Sequence, residues 1–289
     1  ERTPVALTST AYYYWDVWML ARVAEILDKK EDAAHYGELA AKIIMFQLAA
    51  LTLIKKPVKE FIMSYLNTFF FGIYPYIALA VFVIGSVIRY DREQYTWKTG
   101  SSQLLESKKL KQGSRAFHIG IIMVLLGHFV GLLTPAEVWH VFGIEAGHKQ
   151  LIAMTLGGVF GLICFYGLTI LIKRRLYEPR IRATSSNMDI AILLLLYVQL
   201  ILGLLSIFVS AGHLDGAEML LLMSWAQNIV TFDLTEATAA IAQVHWIYKL
   251  HVALGMTLFV VFPFSRLVHI ASVPVQYLGR NYQVVRSKS

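Results

Sequence analysis

Cysteine is almost absent from this chain of 289 residues, since Cys164 is the only one. A single thiol cannot form an intrachain disulfide. A cysteine-ligated iron–sulfur cluster or a structural zinc site requires about four suitable ligands, so neither can be built from this chain alone. Charge is also scarce: 16% of the residues are charged and 57% are hydrophobic, whereas ordinary soluble domains contain about 25% charged residues. This composition excludes an ordinary soluble domain and a disordered or fibrous chain.

Five long stretches contain no Asp, Glu, Lys or Arg, and all of them lie beyond residue 63. A membrane-spanning helix requires about 20 mostly apolar residues, and the first four stretches meet this length. The fifth becomes long enough if it begins near Trp246 and continues past Arg266 to Ile270. The sequence predicts an all-α integral membrane protein, a five-transmembrane-helix bundle with an N-terminal helical extension. The stretches are 69–88, 116–134, 151–172, 190–214 and 250–265.

The net charge of +7 arises from loops on one side of the predicted bundle. Sixteen Lys and Arg follow the first, third and fifth helices, whereas the two opposite loops contain only Lys149 and Lys249. Cytoplasmic loops carry such an excess, so we expect the basic loops and the C-terminus in the cytoplasm and the start of the first helix outside. Residues 1–62 are neutral, with equal numbers of bases and acids. The charge therefore reflects topology and does not indicate nucleic-acid binding.

Residues 1–62 have a different pattern from the predicted membrane domain, 63–289. Apolar residues recur at helical spacing up to Leu27, a polar turn follows at 28–32, and a second amphipathic stretch occupies 33–50. The pattern predicts a helical hairpin of soluble type.

This N-terminal extension conflicts with the predicted topology. Residues 8–15, which include Tyr12 and Trp15, resemble a helical stretch of the α-L-rhamnosidase family but are far too few to form its barrel. No signal peptide with a basic start and a small-residue cleavage site is visible, although the first helix is expected to begin outside. We therefore expect the native membrane protein to begin at Met63, preceded by a fused, foreign or misassigned segment.

Four histidines lie within two of the predicted spans: His118 and His128 in the second helix, His251 and His269 in the fifth. Titratable groups are costly in hydrocarbon, so an intramembrane histidine is a candidate functional residue. The alternative for any single histidine is a structural hydrogen bond between helices. Because the second and fifth helices run in opposite directions, His118 lies level with His269, and His128 lies level with His251. The pattern predicts two bis-histidine metal centres stacked through the membrane.

The two helices space their histidines differently. At about 1.5 Å per residue, the separation is roughly 15 Å in the second helix and roughly 27 Å in the fifth. In a continuous helix His251 and His269 would share one face, because their interval is about five full turns. The mismatch requires a tilt, a crossing of the helices or a bend, and Pro263 lies between these two histidines.

Haem is the cofactor that such centres fit. It is planar, accepts two axial imidazoles and tolerates hydrocarbon surroundings. Zinc would require a tetrahedral set with thiolates or carboxylates, which are absent at those depths. Four glycines near the histidines either leave room beside a ring or allow close helix packing. They are Gly120, Gly127, Gly131 and Gly255.

Lys149 is nearly the only base on the outer side of the predicted bundle. It lies where the third helix begins, close in level to His128. A lysine at the membrane interface is usually a snorkelling anchor. The other hypothesis is a functional role beside His128.

Five stretches of the membrane domain have specific motifs. They are FFFGIYPYIALAVFVIGSVIRYD at 69–91, QYTWKTGSSQ at 94–103, FHIGIIMVLLGHFVGLLTP at 117–135, KRRLYEPRIRATSS at 173–186 and LHVALGMTLFVVFPFSRLVHIASVPVQYL at 250–278. In these motifs, residues 63–289 resemble the γ subunit of the respiratory membrane-bound nitrate reductase, the cytochrome b membrane anchor of that complex. The resemblance implies two b-type haems. The proximal haem, nearest the cytoplasm, is bound by His118 and His269, and the distal haem by His128 and His251.

The resemblance also implies a quinol site and partner subunits. Lys149, together with Gly127, matches the quinol site of the family. A membrane quinol, menaquinol or ubiquinol, is then oxidised near the outer face and its protons are released outside. Its electrons pass through the two haems to an iron–sulfur β subunit and on to a molybdenum-containing α subunit. The implied location is the inner membrane of a bacterial or archaeal cell.

Two other functions remain open from the residues alone. The four histidines equally fit a dihaem cytochrome b of another respiratory complex, such as a formate dehydrogenase or a heterodisulfide-type reductase. A non-haem five-helix transporter or assembly protein is the alternative of a different class, in which the histidines relay protons or pack. The reduced-minus-oxidised spectrum separates the haem proteins from the last class, and the copurifying subunits separate the complexes.

Overall fold

A computed structural model describes residues 5–93, 95 and 107–272, and the elements within these ranges are all helical. The chain divides into two compact units, residues 1–66 and 67–289. Within these described ranges, five helices are long and apolar enough to cross a membrane. The predicted all-α membrane fold with five spans is confirmed.

The first unit is a hairpin of two helices, α1 (Val5–Ile26) and α2 (Lys30–Asn67). The predicted hairpin is present, but its second helix is much longer than the amphipathic stretch that predicted it. Three residues from the two helices form a small buried cluster: Val17, Ala40 and Ile43.

The second unit contains long helices joined by shorter ones. Its long helices are α3 (Tyr74–Glu93), α4 (Ser107–Leu133), α6 (Ala146–Tyr177), α8 (Asn187–Ala211) and α11 (Trp246–Val261). The short helices are α5 (Ala136–Val141), α7 (Pro179–Ala183), α9 (Ala217–Val230) and α10 (Leu234–Ala242). The first candidate span, Phe61–Glu93, includes a π-helical turn at Thr68–Ile73 ahead of α3.

The fifth span ends earlier than the sequence predicts. α11 is followed by a 3₁₀ turn at Phe262–Phe264, and a second 3₁₀ segment occupies Arg266–Ser272. Between them Ser265 is extended, with φ −116° and ψ 179°. The prediction that the helix continues to Ile270 is therefore wrong.

Pro263 explains this break. A proline inside a helix lacks the N–H that would bond to the preceding turn, and its ring clashes with the carbonyl of that turn. His251 lies on α11, whereas His269 lies on the second 3₁₀ segment. The two histidines consequently do not share one face of a continuous helix, although their interval of about five full turns would place them on one face if the helix were unbroken.

The helices that carry the histidines pack on different neighbours. α4 packs along α6, where a Cβ added to Gly120 would lie 2.5 Å from the backbone nitrogen of Cys164. α11 packs on α3 and α8. Within the described residues, α4 and α11 are not closely packed on each other.

The two ends of the bundle differ in chemistry. At one end α9, α10 and the π-helical turn form a buried apolar cluster, in which the indole N–H of Trp225 donates to the carbonyl of Phe71 at 2.9 Å. At the other end, basic side chains from different helices meet. This basic end includes Arg89, Arg175 and Arg266, each of which contacts a residue of another helical segment.

Candidate functional site

The four intramembrane histidines meet as two pairs. The rings of the proximal pair, His118 and His269, have centres 6.2 Å apart. Those of the distal pair, His128 and His251, have centres 6.0 Å apart. The proximal pair lies at the basic end, because Arg266 belongs to the same 3₁₀ segment as His269. The structure thus brings together the histidines that antiparallel second and fifth helices place at the same level.

The two histidines of α4 are oriented by the helix itself. The Nδ1 atom of His118 donates to the carbonyl of Ser114 at 2.7 Å, and that of His128 donates to the carbonyl of Val124 at 2.8 Å. Each acceptor lies four residues earlier, on the preceding turn. Because a carbonyl only accepts, Nδ1 carries the proton and Nε2 retains the lone pair that a metal ligand requires.

His269 is oriented in the same way, but by a carbonyl of the 3₁₀ segment. Its Nδ1 atom donates to the carbonyl of Arg266 at 2.6 Å. Its acceptor lies three residues earlier, outside any α-helix. Nε2 is again the nitrogen with the free lone pair.

His251 is held differently, by the side chain of one residue of α8. The amide nitrogen of Gln199 lies 3.3 Å from its Nε2 and donates to its backbone carbonyl at 3.1 Å. Gly203, one turn further along α8, makes room for the ring, since an added Cβ would lie 3.0 Å from Cε1. Sequence reasoning missed both residues. A glutamine inside an apolar span is the signal that could have identified Gln199.

The spacing of the pairs fits a metal held between two imidazoles. With metal–imidazole bonds of about 2 Å, two imidazoles on opposite sides of one metal have ring centres about 6 Å apart. The observed 6.2 and 6.0 Å match this distance. In the part of the chain that the structure describes, no three His, Cys, Asp or Glu side chains cluster as a metal-ion site. Two imidazoles meet at each level, and this donor set fits a haem.

The glycines of α4 serve two different purposes. Nothing lies within 4 Å of a Cβ added to Gly127 or Gly131, so both border open space near the distal pair. Gly120 instead permits close packing on Cys164. Of the two explanations that the sequence leaves, helix packing explains Gly120 but not Gly127 or Gly131.

Lys149 is buried, with 5% of its surface exposed. Its ammonium group lies 2.9 Å from the sulfur of Met223 and 4.7 Å from the centre of the Trp139 ring. Neither neighbour is a carboxylate, and within the described ranges none pairs with Lys149. The lysine is thus not an exposed interfacial anchor. Sequence reasoning missed Met223 and Trp139, because neither α9 nor α5 contains a motif that indicates a contact with Lys149.

These features define a class of protein: a multi-pass helical membrane protein with two levels of paired histidines. The family model described as nitrate reductase gamma subunit matches residues 67–288, and the chain belongs to this family. It is accordingly a membrane subunit of an oxidoreductase complex that transfers electrons, and it associates with other nitrate reductase subunits.

Three relatives show how closely the chain follows the family. Respiratory nitrate reductase 1 gamma chain of Escherichia coli is 53% identical over 229 residues, which cover 78% of this chain and 100% of the relative. Respiratory nitrate reductase 2 gamma chain of the same species is 46% identical over 78% of this chain and 99% of the relative. The nitrate reductase gamma chain of Bacillus subtilis is 38% identical over 75% of this chain and 97% of the relative.

Proposed function

We propose that this chain is a dihaem cytochrome b that oxidises membrane quinol and delivers the electrons to its partner subunits. The observation that carries the proposal is the geometry of the two histidine pairs. Within each pair the ring centres lie about 6 Å apart, and α4 and α11 do not pack closely together. The three relatives named above are nitrate reductase gamma chains, which favours this complex over another respiratory complex.

The chain's own residues would hold two b-type haems. His118 and His269 would bind the proximal haem, and His128 and His251 the distal haem. When bound, the haems supply one-electron transfer between the two ends of the bundle. The protein's contribution is to fix the tautomers of His118, His128 and His269 through Nδ1 and, at Gly127, to keep side chains out of the space beside the distal pair.

We assign Lys149 to the quinol site, together with Gly127. Oxidation of a hydroquinone to a quinone releases two electrons and two protons. A buried ammonium group that lacks a carboxylate partner is costly, and it is well suited to donate a charge-assisted hydrogen bond to a quinol oxygen. The thioether of Met223 is only a weak acceptor, so a quinol oxygen would be the stronger partner.

The charge of the loops supports one orientation in the membrane. The excess of Lys and Arg supports a cytoplasmic basic end and C-terminus, with the start of the first helix outside. Electrons would then leave the chain at the basic end, towards an iron–sulfur β subunit and a molybdenum-containing α subunit. Protons would be released outside. Each charge moved against 100 mV corresponds to about 2.3 kcal/mol, so this arrangement would conserve energy.

The histidine pairs can be tested by haem content in the purified complex. We expect two b-type haems per chain, and one after a change of any single paired histidine to alanine. The double variant His128→Ala/His251→Ala should still hold one haem, because both changes affect one site. The double variant His128→Ala/His269→Ala should hold none. His140→Ala is the matched control, because this exposed histidine of α5 lies outside both pairs.

The outcomes discriminate between the candidate functions. A wild-type complex without the sharp α-band of haem b would overturn the proposal and favour a transporter or assembly protein. If His128→Ala/His269→Ala retained one haem and His128→Ala/His251→Ala none, the pairing would be wrong. Copurification with formate dehydrogenase or heterodisulfide reductase subunits would assign the chain to another complex.

A further inference from the structure

The segment that carries His269 is held in place by side chains of other helices. The two 3₁₀ segments after α11 are separated by the extended residue Ser265 and do not continue the α-helix. Arg89 of α3 supplies part of the support, because its Nη1 atom donates to the carbonyls of Pro263 at 2.6 Å and of Ser265 at 2.8 Å. These carbonyls lie where Pro263 interrupts the helix.

Asp189 supports the next part of the segment. The Nε atom of Arg266 lies 2.8 Å from Oδ1 of Asp189, and Nη1 of Arg175 lies 3.3 Å from Oδ2. The side chains of Asp189 and Arg266 are 18% and 20% exposed, so water screens the pair only partly. Asp189 is itself fixed at the start of α8, where its backbone N–H and its carboxylate form a capping box with Ser186.

Arg266 links this ion pair to the histidine. Its side chain contacts Asp189, and its carbonyl accepts the Nδ1 proton of His269 at 2.6 Å. His118 and His128 take their acceptors from an intact α-helix, which places a carbonyl below the ring without help from elsewhere. The acceptor of His269 lies beyond a helix break and depends on what fixes Arg266.

We propose that Asp189 is a positioning residue for His269. Through Arg266 it fixes the carbonyl that orients the imidazole and keeps its Nε2 atom available as a ligand. Hydrogen-bond partners of a ligating histidine orient the ring and raise its basicity, and they affect metal affinity strongly. The inference depends on the proposed function, in which the proximal pair binds haem.

Asp189→Asn is the informative change. Asparagine keeps an oxygen that can accept the capping hydrogen bond of Ser186, but it removes the negative charge that binds Arg266. Two variants are matched controls. Ser186→Ala removes the capping hydroxyl, but it leaves the Asp189 carboxylate charged and still accepting from the backbone N–H at position 186. Glu178→Gln removes an exposed ion pair with Lys109.

The readout is the occupancy and spectrum of each haem in the purified complex, with His118→Ala and His128→Ala as references for loss of the proximal and the distal haem. We expect Asp189→Asn to lower the ratio of proximal to distal haem several-fold when haem is limiting. The electron paramagnetic resonance signal of the remaining proximal haem should shift. The distal haem in the same chains shows that the variant is folded. Ser186→Ala and Glu178→Gln should keep the wild-type ratio and signals.

Three results would overturn the inference. One is a wild-type ratio with an unshifted proximal signal in Asp189→Asn, another is equal loss of both haems, and the third is the same effect in Ser186→Ala. All three arise in a protein whose wild type binds two haems, so they leave the proposed function intact. A wild type without haem would instead overturn the proposed function itself.

Discussion

The four histidines differ in how much of the fold is needed to orient each one. His118 and His128 find their acceptors one turn earlier in α4. His269 depends on a carbonyl beyond a helix break, and the ring of His251 on the side chain of Gln199. Because the orientations of His251 and His269 rely on tertiary contacts, we expect changes elsewhere in the molecule to affect these two histidines more than those of α4.

Lys149 is the residue for which the proposed and the structural roles can be separated. We expect Lys149→Ala to slow quinol oxidation strongly while both haems remain bound and reducible by dithionite. The reason is that alanine removes the buried charge that would bind the quinol oxygen. Lys149→Arg should retain part of the activity, because guanidinium keeps the charge but not the ammonium geometry. Turnover per haem is the measurement.

Lys249→Ala is the matched control for this change. Lys249, in the first turn of α11, is the other base near that end of the bundle, and its ammonium group already donates to the carbonyl of Ala242 at 2.9 Å. We expect its turnover per haem to equal that of the wild type. Unchanged turnover per haem in Lys149→Ala would remove Lys149 from the quinol site and leave it a packing role.

At the level of elements, the close contact between α4 and α6 depends on glycines, which have no side chain. Gly113 and Gly167 face each other across the two helices, and a Cβ added to Gly167 would lie 2.7 Å from the carbonyl oxygen of Gly113. The neighbouring atoms are backbone and cannot rotate away. Small residues of this kind let membrane helices approach closely, which favours van der Waals packing.

We therefore expect Gly167→Val to destabilise the bundle. Overpacking typically costs about 1–3 kcal/mol, and a backbone neighbour favours the upper end of that range. Thermal unfolding in detergent, followed by loss of the haem b spectrum, measures the effect. Gly157→Val is the control on the same helix, because nothing lies within 4 Å of a Cβ at Gly157. Equal unfolding temperatures of the two variants would contradict the packing explanation.

At the level of the whole molecule, the two units have separate cores. The first unit contains the cluster around Val17, and the second contains the larger cluster that includes Trp225. The family match begins at residue 67, and 229 residues of this chain cover the full length of the first E. coli relative. The proposal from the sequence is thus that 1–62 are a separate extension of the membrane domain.

Deletion of residues 1–62, with translation from Met63, tests this proposal. We expect two haems and full quinol oxidation, because both histidine pairs and Lys149 lie in the second unit. Haem content and turnover in membranes from cells that express the shortened chain are the measurements. Loss of both haems on deletion would show that the membrane domain needs the extension.

Much of the architecture could be predicted without the structure. The five apolar stretches predict the five spans, and the alternating direction of the helices predicts which histidines meet. The sequence did not predict the break after Val261, although Pro263 marks its place, because a proline in a long apolar stretch can either kink a helix or end it. It also did not predict that Asp189, Arg89 or Gln199 would contact the histidine-bearing segment.

The sequence by itself determined the membrane class, the number of spans and the level at which each histidine lies. These properties are sums over about 20 neighbouring residues or rises along one helix, so they need no knowledge of other segments. Only the tertiary structure decided the burial of Lys149 against Met223 and the ion pair that supports Arg266. Contacts between residues so far apart in sequence depend on how each helix is rotated and where it ends, and close packing of neighbouring helices sets both.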